Sequence, residues 1–218
     1  MENLEFMKKF RPEELCIKEF ILLKIINYKL YETKENMMEE LIDILDENGV
    51  KTGEVLTRKE VHKRGLWHRA IAVAIINEQN EILIQQRSLK KEKNAGMWDI
   101  SVAGHISSGQ DALSAASREI NEEVSVNLGF NVDIKEFRYM FSYRKEEIFK
   151  EDFIERQFYD FFVLRKNGLK AEDIKIQESE VEQIKFVSIS ELNEMIENNE
   201  LVERTPVYKE LMNYLFRV

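Results

Sequence analysis

A continuous apolar run at residues 70–76 limits what this 218-residue chain can fold into more than any other segment. The run is rich in β-branched residues and has the length of one strand, so it predicts a strand buried in a sheet. Residues 82–84 predict a second strand, with residues 77–80 as the turn between them. Residues 110–124 form the clearest helical pattern, because their apolar residues recur on one face. Strands on both sides of one helix indicate a mixed α/β fold.

Weaker patterns complete the predicted order of elements. Residues from about 12 to 38 have helical spacing, and Pro12 suits the first position of a helix. Residues 46–49 are a strong turn signal. Further strands are expected at residues 39–45, 50–56, 137–143, 157–164 and 184–187, and further helices at residues 189–198 and 205–216. The pairs Ser108 with Asp111 and Ser188 with Glu191 are typical of helix N-terminal caps.

This order predicts one enlarged domain at residues 39–218 and a helical N-terminal extension at residues 1–38. With 44% hydrophobic and 33% charged residues, the chain can bury a core of ordinary size. The extension is either a helical cap on the domain or a contact in a homodimer, and the sequence favours neither.

Charge and cysteine content exclude several classes of partner. The net charge of −9 repels a phosphate backbone, so nucleic acid is not an expected partner. A small polyanion remains compatible with this charge if metal ions supply the positive charge. Cys16 is the only cysteine, which favours a reducing cytoplasm. The first residues contain no signal-peptide core and no apolar run long enough for a membrane, so no membrane partner is expected.

Three glutamates on the helix at residues 110–124 carry the strongest chemical signal. Glu119, Glu122 and Glu123 lie at positions i, i+3 and i+4, which places them on one helical face. Their carboxylates repel one another, and Arg118 alone cannot offset them. A divalent cation such as Mg²⁺ or Mn²⁺ would turn this repulsion into binding. The alternative is a solvated acidic face, which is common in a chain that is one-third charged.

The wider segment, residues 104–126, resembles the Nudix box, a spaced pattern of glycine, arginine and glutamates. The residues in register with that pattern are Gly104, Arg118, Glu119, Ile120, Glu122, Glu123 and Val126. Two positions depart from it, because Gln110 stands where the family has its first glutamate and Ser125 where it has its final glycine. The chain is therefore identified as similar to the Nudix hydrolase superfamily.

This resemblance implies a fold, a reaction and a set of roles. The fold would be a Nudix α/β/α sandwich with a mixed β-sheet, the box helix on one side and the C-terminal helices on the other. The three glutamates would bind Mg²⁺ or Mn²⁺ or activate water, Arg118 would orient a glutamate, and Gly104 would offer its carbonyl to a metal. The reaction would be hydrolysis of a diphosphate linkage in a small molecule, with the general base left unassigned. Gln110 cannot ionise, so weakened activity is expected.

A second resemblance extends over about residues 40–165, to the Nudix branch that contains type 1 isopentenyl-diphosphate isomerase. It includes the segments at residues 46–49, 86–88 and 97–99. The three histidines of this chain, His62, His68 and His105, fall near the places where that isomerase binds a metal. The alternative is that His62 and His68 lie on a loop and form local hydrogen bonds. Glu155 would be a further metal ligand, or else an exposed residue in an acidic stretch.

Two departures from the isomerase favour hydrolysis. Ala103 stands where the isomerase has its catalytic thiol, and Gln157 where it has its catalytic glutamate. Neither side chain can perform acid–base chemistry at carbon. An isomerase-like enzyme and a catalytically weakened binding module remain the alternatives.

Two further side chains are candidates for substrate binding. Arg87, together with Lys90, Lys91 and Lys93, would offset substrate phosphates or form a solvated basic loop. Trp98 would pack under the substrate loop or serve the core.

Overall fold

The computed structural model describes residues 39–122 in full, the backbone of Glu123, and residues 132–216. The compact unit that contains these elements runs from Leu41 to Val218. The strands in this part of the chain are β1 (Leu41–Leu45), β2 (Lys51–Thr57), β3 (Trp67–Ile76), β4 (Ile82–Arg87), β5 (Trp98–Ile100), β6 (Val102–His105), β7 (Phe137–Lys150), β8 (Phe153–Arg165) and β9 (Val181–Val187). The helices are α1 (Arg58–Arg64), α2 (Ala112–Glu123), α3 (Ile189–Glu197) and α4 (Thr205–Phe216).

Strand β3 is the centre of the sheet, and its sequence explains why. Every residue from Ala70 to Ile76 is buried, as expected for a continuous apolar run. β3 pairs with β8 in parallel and with β6 in antiparallel orientation, so the sheet is mixed. β4 then carries β5 and β9, while β1 and β2 form a hairpin beside β3 and β7 pairs with β8.

The two faces of β3 bury two separate apolar layers, because side chains alternate along a strand. Ala70, Ala72 and Ala74 pack with residues of α3 and α4. Ile71, Val73 and Ile75 pack with the apolar face of α2. The sandwich with the box helix on one side and the C-terminal helices on the other is therefore confirmed.

Most predicted elements are present, with two differences. The cap of α3 is confirmed, because the Ser188 hydroxyl accepts from the Glu191 amide. The cap pair of α2 is wrong in part: Asp111 accepts from the Ser114 amide, but the Ser108 hydroxyl donates to Asp43 instead. The hairpin of β7 and β8 is longer than either predicted strand, since cross-strand pairing continues to Lys150 and Phe153. The helix expected from about residue 12 to residue 38 lies outside the described residues.

Helix α1 and strands β5 and β6 were not predicted. The signals for α1 were in the sequence: the Thr57 hydroxyl accepts from the Glu60 amide, and Gly65 ends the helix with a positive φ of 61°. In the part of the chain described above, no helix has both the length and the hydropathy that a membrane span requires.

Candidate active site and metal centre

The box helix α2 packs against Gly104 of β6 through Glu119, and this glycine is required by packing. A Cβ atom at residue 104 would lie 2.2 Å from Oε1 and 2.3 Å from Cδ of Glu119. No heavy atom tolerates such a distance, so the absent side chain is what allows Glu119 to lie against β6. Glu119 is only 8% exposed as a result.

Arg118 organises the acidic face of α2. Its guanidinium contacts Oε1 of Glu119 at 2.8 Å and Oε2 of Glu122 at 2.8 Å. It also donates to the carbonyl of His105 at 3.1 Å and to Oε1 of Gln110 at 3.4 Å. Planar guanidinium groups suit several such contacts at once. Arg118 is therefore placed to orient both glutamates, as its position in the box implies.

The glutamates of the box differ in environment. Glu119 is buried against Gly104, whereas the side chain of Glu122 is 50% exposed. The side chain of Glu123 lies outside the described residues. The helix thus presents one carboxylate in the protein interior and one at the surface.

The three histidines come together, although they belong to three different elements. His62 lies on α1, His68 near the start of β3 and His105 at the end of β6. Their ring centroids are 5.1–5.2 Å apart. One nitrogen from each ring lies within 4.8 Å of the other two. The expectation of a loop is wrong for His62, because the cap at Thr57 folds that segment into α1.

Burial keeps two of these rings neutral. It lowers the pKa of His62 to about 4 and that of His68 to about 3, and the neighbouring His105 ring acts in the same direction. Nδ1 of His68 donates to the carbonyl of Leu66 at 2.9 Å, which leaves Nε2 of His68 with a lone pair. Neither ring nitrogen of His62 has a hydrogen-bond partner among the described residues.

Gln157 closes the cluster from β8. The pairing of β3 with β8 places Gln157 beside His68, and its Nε2 lies 3.1 Å from Nε2 of His68 and 3.1 Å from Nε2 of His105. An amide nitrogen only donates, so both rings accept. Oε1 of Gln157 is buried and has no partner in the described part of the chain.

Glu155 lies next to the cluster and is 3% exposed. Its carboxylate forms an ion pair with the ammonium of Lys93. Burial is the largest influence and would raise the pKa of Glu155, but the charge and hydrogen bond of Lys93, together with His105 and His62, hold this pKa below its usual value. The alternative of an exposed acidic residue is therefore wrong for Glu155, and a solvated loop is wrong for Lys93, whose side chain is only 20% exposed.

The two candidates for substrate binding lie around a buried ion pair. Asp99 of β5 binds Arg204 through two hydrogen bonds, of 2.6 Å and 3.1 Å. A guanidinium nitrogen of Arg87 lies 3.8 Å from the same carboxylate. Trp98, the neighbour of Asp99, packs against the apolar layer and has the Lys185 ammonium 4.9 Å from its ring centroid.

The residues around the histidines fit a metal ion. Neutral imidazoles are ligands for Zn²⁺, Co²⁺ and Mn²⁺, and buried polar atoms normally have partners. Here the two nitrogens of His62 and Oε1 of Gln157 are such atoms without partners among the described residues. The carbonyl of Leu66 fixes the ring of His68 in the form that a metal site needs.

Sequence reasoning missed two residues of this region. In the sequence, Lys93 is one of several lysines in a basic loop. Its spacing from Lys91 does not show that its side chain points into the protein. The sequence indicates only that Gln157 replaces a catalytic glutamate of the isomerase. In the structure its side-chain amide contacts both His68 and His105. The register of β3 and β8 places Gln157 beside His68, and the path of the loop between β4 and β5 brings Lys93 to Glu155.

Comparison with known proteins places the chain in a family. A model of the NUDIX domain matches residues 66–209. Nudix hydrolase 3 of Arabidopsis thaliana is 35% identical over 175 residues, which is 79% of this chain and 22% of that longer protein. An uncharacterized Nudix hydrolase of Listeria monocytogenes is 34% identical over 165 residues, which is 76% of this chain and 89% of that one.

The fold and the isomerase branch are supported in the same way. DR0079 of Deinococcus radiodurans has a TM-score of 0.59 and 18% identity, over 80% of this chain and 98% of that one. The isopentenyl-diphosphate Delta-isomerase of Serratia proteamaculans is 31% identical over 126 residues, 58% of this chain and 66% of that one. The chain therefore belongs to the Nudix family, as an enzyme of the Nudix hydrolase type, and both resemblances drawn from its residues are confirmed.

Proposed function

We propose that this enzyme hydrolyses a diphosphate linkage in a small molecule and requires Mg²⁺ or Mn²⁺ to do so. The observation that carries the proposal is the contact of one arginine, Arg118, with two box glutamates, Glu119 and Glu122. An arginine in this position holds the carboxylates in a fixed geometry before any cation arrives. Such preorganisation is what metal-assisted phosphoryl chemistry demands of a protein.

Each residue of the box has a part in this proposal. Glu119, Glu122 and Glu123 would hold the cations, together with the carbonyl of Gly104. When bound, these cations neutralise the diphosphate, polarise its P–O bonds and lower the pKa of a bound water. Arg118 keeps Glu119 directed toward β6, and Gly104 leaves the space that Glu119 needs.

The substrate side of the proposal involves Arg87 and Trp98. The guanidinium of Arg87 is held near Asp99, so it is positioned before an anionic ligand arrives. It would bind phosphate oxygens, while the ring of Trp98 would border the bound molecule. The class of substrate is a compound in which a diphosphate joins two moieties, such as a nucleoside diphosphate linked to another group.

We also propose that His62, His68 and His105 hold a second kind of metal, with Glu155 as a fourth ligand. The support is the close approach of the three ring nitrogens and the partnerless nitrogens of His62 in the described part of the chain. Three imidazoles favour Mn²⁺, Co²⁺ or Zn²⁺ over Mg²⁺, which prefers oxygen ligands.

This histidine site favours one alternative function, that of an isopentenyl-diphosphate isomerase, because relatives carry that name. The alternative lacks proton-transfer groups, since Ala103 and Gln157 occupy the two positions where the resemblance places them. Incubation with isopentenyl diphosphate in deuterated water should leave the substrate unlabelled. Uptake of deuterium would support isomerisation instead.

A panel of diphosphate compounds tests the hydrolase proposal. We expect Mg²⁺- or Mn²⁺-dependent release of phosphate-containing products from at least one nucleoside diphosphate derivative. Glu122→Gln and Glu123→Gln should abolish most of this turnover. Glu194→Gln, on an exposed position of α3, is the matched control and should retain it. Binding of these compounds without any metal-dependent cleavage would show a binding module and overturn the proposal.

A further inference from the structure

Two lysines of the loop at residues 88–97 form ion pairs in contrasting environments. Lys91 pairs with Glu180 near the surface, where the two side chains are 25% and 36% exposed. Lys93 pairs with Glu155, whose side chain is 3% exposed. A buried ion pair loses much of its hydration, and its Coulombic attraction often does no more than offset that loss. A buried carboxylate left without a cation is strongly destabilised, so an ion that displaces Lys93 must itself neutralise Glu155.

The ammonium of Lys93 is poorly stabilised where it lies. Burial lowers the pKa of Lys93, and Glu155 opposes this shift without cancelling it. The positive charges of Arg87 and Arg204 lower the pKa further. The rings of Phe149 and Phe153, with centroids 4.9 Å and 5.8 Å away, supply only weak cation–π attraction.

Glu155, by contrast, faces the histidine cluster. It is two residues from Gln157 on β8, so both side chains lie on the same face of the strand. Gln157 contacts His68 and His105 directly. The negative charge of Glu155 also raises the pKa values of His62 and His68 against the larger effect of burial. A cation among the three rings would therefore be attracted electrostatically by this carboxylate.

We infer that Glu155 exchanges partners: it holds Lys93 when the histidine cluster is metal-free, and it becomes a metal ligand when a divalent cation binds. The inference rests on the histidine metal site proposed above. A divalent ion beside a buried ammonium is strongly repelled at low dielectric, so the two cations exclude each other. The flexible four-carbon stem of Lys93 lets its ammonium reach solvent. Lys93 is thus a residue that lowers metal affinity and tunes which ions enter.

Titration of the metal-free full chain with Co²⁺ tests this exchange, because visible absorption reports Co²⁺ bound by nitrogen ligands. Lys93→Met keeps the length of the side chain and removes the competing charge, so it should raise the Co²⁺ affinity at least about tenfold. Lys91→Met removes the surface counterpart and should leave the affinity unchanged. An unchanged or lower affinity in Lys93→Met overturns the exchange.

The carboxylate supplies the second arm of the same experiment. Glu155→Gln should lower the Co²⁺ affinity, and the gain from Lys93→Met should shrink in the Glu155→Gln background, since the two residues act as one unit. Glu180→Gln is the matched control. If the effects of Lys93→Met and Glu155→Gln are simply additive, Lys93 does not compete for Glu155, and the inference fails.

A third test uses the wild-type chain, so its outcome does not depend on whether a variant folds. Amine-directed labelling followed by mass spectrometry should show Lys93 reacting faster with Co²⁺ than without it, while Lys91 reacts equally in both states. Equal reactivity of Lys93 overturns the release of its ammonium. If no nitrogen-ligated Co²⁺ forms in any variant, the histidine metal site fails as well, whereas hydrolysis by the box glutamates is judged separately by Glu122→Gln.

Discussion

The acidic face of α2 and the histidine cluster are two regions built on opposite electrostatic principles. On α2, charged groups hold one another: Arg118 bridges Glu119 and Glu122 at a partly exposed surface. In the cluster, His62 and His68 are buried and neutral. The first arrangement comes from neighbours on one helix, and the second from four separate elements. Spacing along one helix therefore suffices to predict the first region. The second can be predicted only when the arrangement of the complete sheet is known.

His105 joins these two regions. Its carbonyl accepts a hydrogen bond from Arg118, while its ring lies in the histidine cluster. Gly104, the residue before it, is packed against Glu119. Any change in the position of β6 would therefore reach both sites. A change that affects one region and leaves the other intact would separate them.

The largest effect should come from acid acting on the metal-free protein. The pKa values of His62 and His68 in the fold, about 4 and 3, lie below the ordinary 6.5, so the unfolded chain binds more protons between these values. Stability is then complete above about pH 6.5 and falls as the pH drops toward 4. A loss of a few kcal/mol is expected, measured by denaturant unfolding with a chelator present.

The variant His62→Phe is the control for this acid effect. It removes one titrating ring while keeping an aromatic side chain next to Phe153. The dependence of unfolding free energy on pH between 6.5 and 4 should become shallower. A slope equal to that of the wild type would show that the histidines do not cause the acid sensitivity.

The next largest effect should come from Glu119→Gln. This change keeps the shape of the side chain but removes the charge that Arg118 holds, so metal-dependent hydrolysis should fall at least about a hundredfold. Co²⁺ binding at the histidines should persist, because no charge has been removed from that cluster. An equal loss in both measurements would mean that the two regions form one site.

Gly104→Ala should have an intermediate effect. The added Cβ would lie 2.2 Å from Oε1 of Glu119, far inside van der Waals contact, so the carboxylate or β6 must move. Overpacking of this kind costs about 1–3 kcal/mol of stability, to be read from the unfolding midpoint. Hydrolysis should fall more than Co²⁺ binding does. Unchanged stability and turnover would contradict the packing described for Glu119.

The smallest effect is expected from Gln110→Glu, which restores the glutamate of the Nudix box. Oε1 of Gln110 accepts from Arg118 at 3.4 Å, and a carboxylate there would form a charge-assisted bond. We expect an increase in turnover of a few-fold, roughly 1 kcal/mol or less. Steady-state kinetics at saturating Mg²⁺ would detect it, and a decrease would show that the amide is the better residue in this chain.

The sequence predicted the box helix and the sandwich well, for a physical reason. Helical periodicity and the apolar run of β3 are local properties, and they determine which faces must be buried. The environment of Glu155 was not predictable in this way. Its burial depends on Lys93, which is 62 positions earlier in the numbering of the chain, and on a parallel pairing between strands distant in sequence. Helix α1 was missed even though the capping residue Thr57 and the terminal Gly65 were both visible.

The parallel register of β3 and β8 limits which changes in sequence can alter the chemistry of this protein. Ten consecutive residue pairs, from Trp67 opposite Arg156 to Ile76 opposite Arg165, lock the two strands together. Inserting or deleting one residue in β8 would turn Gln157 to the opposite surface of the sheet, and the same change in β3 would turn His68. New chemistry at this position must therefore arise by exchanging side chains, such as those at Ala103 and Gln157, on a backbone of constant length.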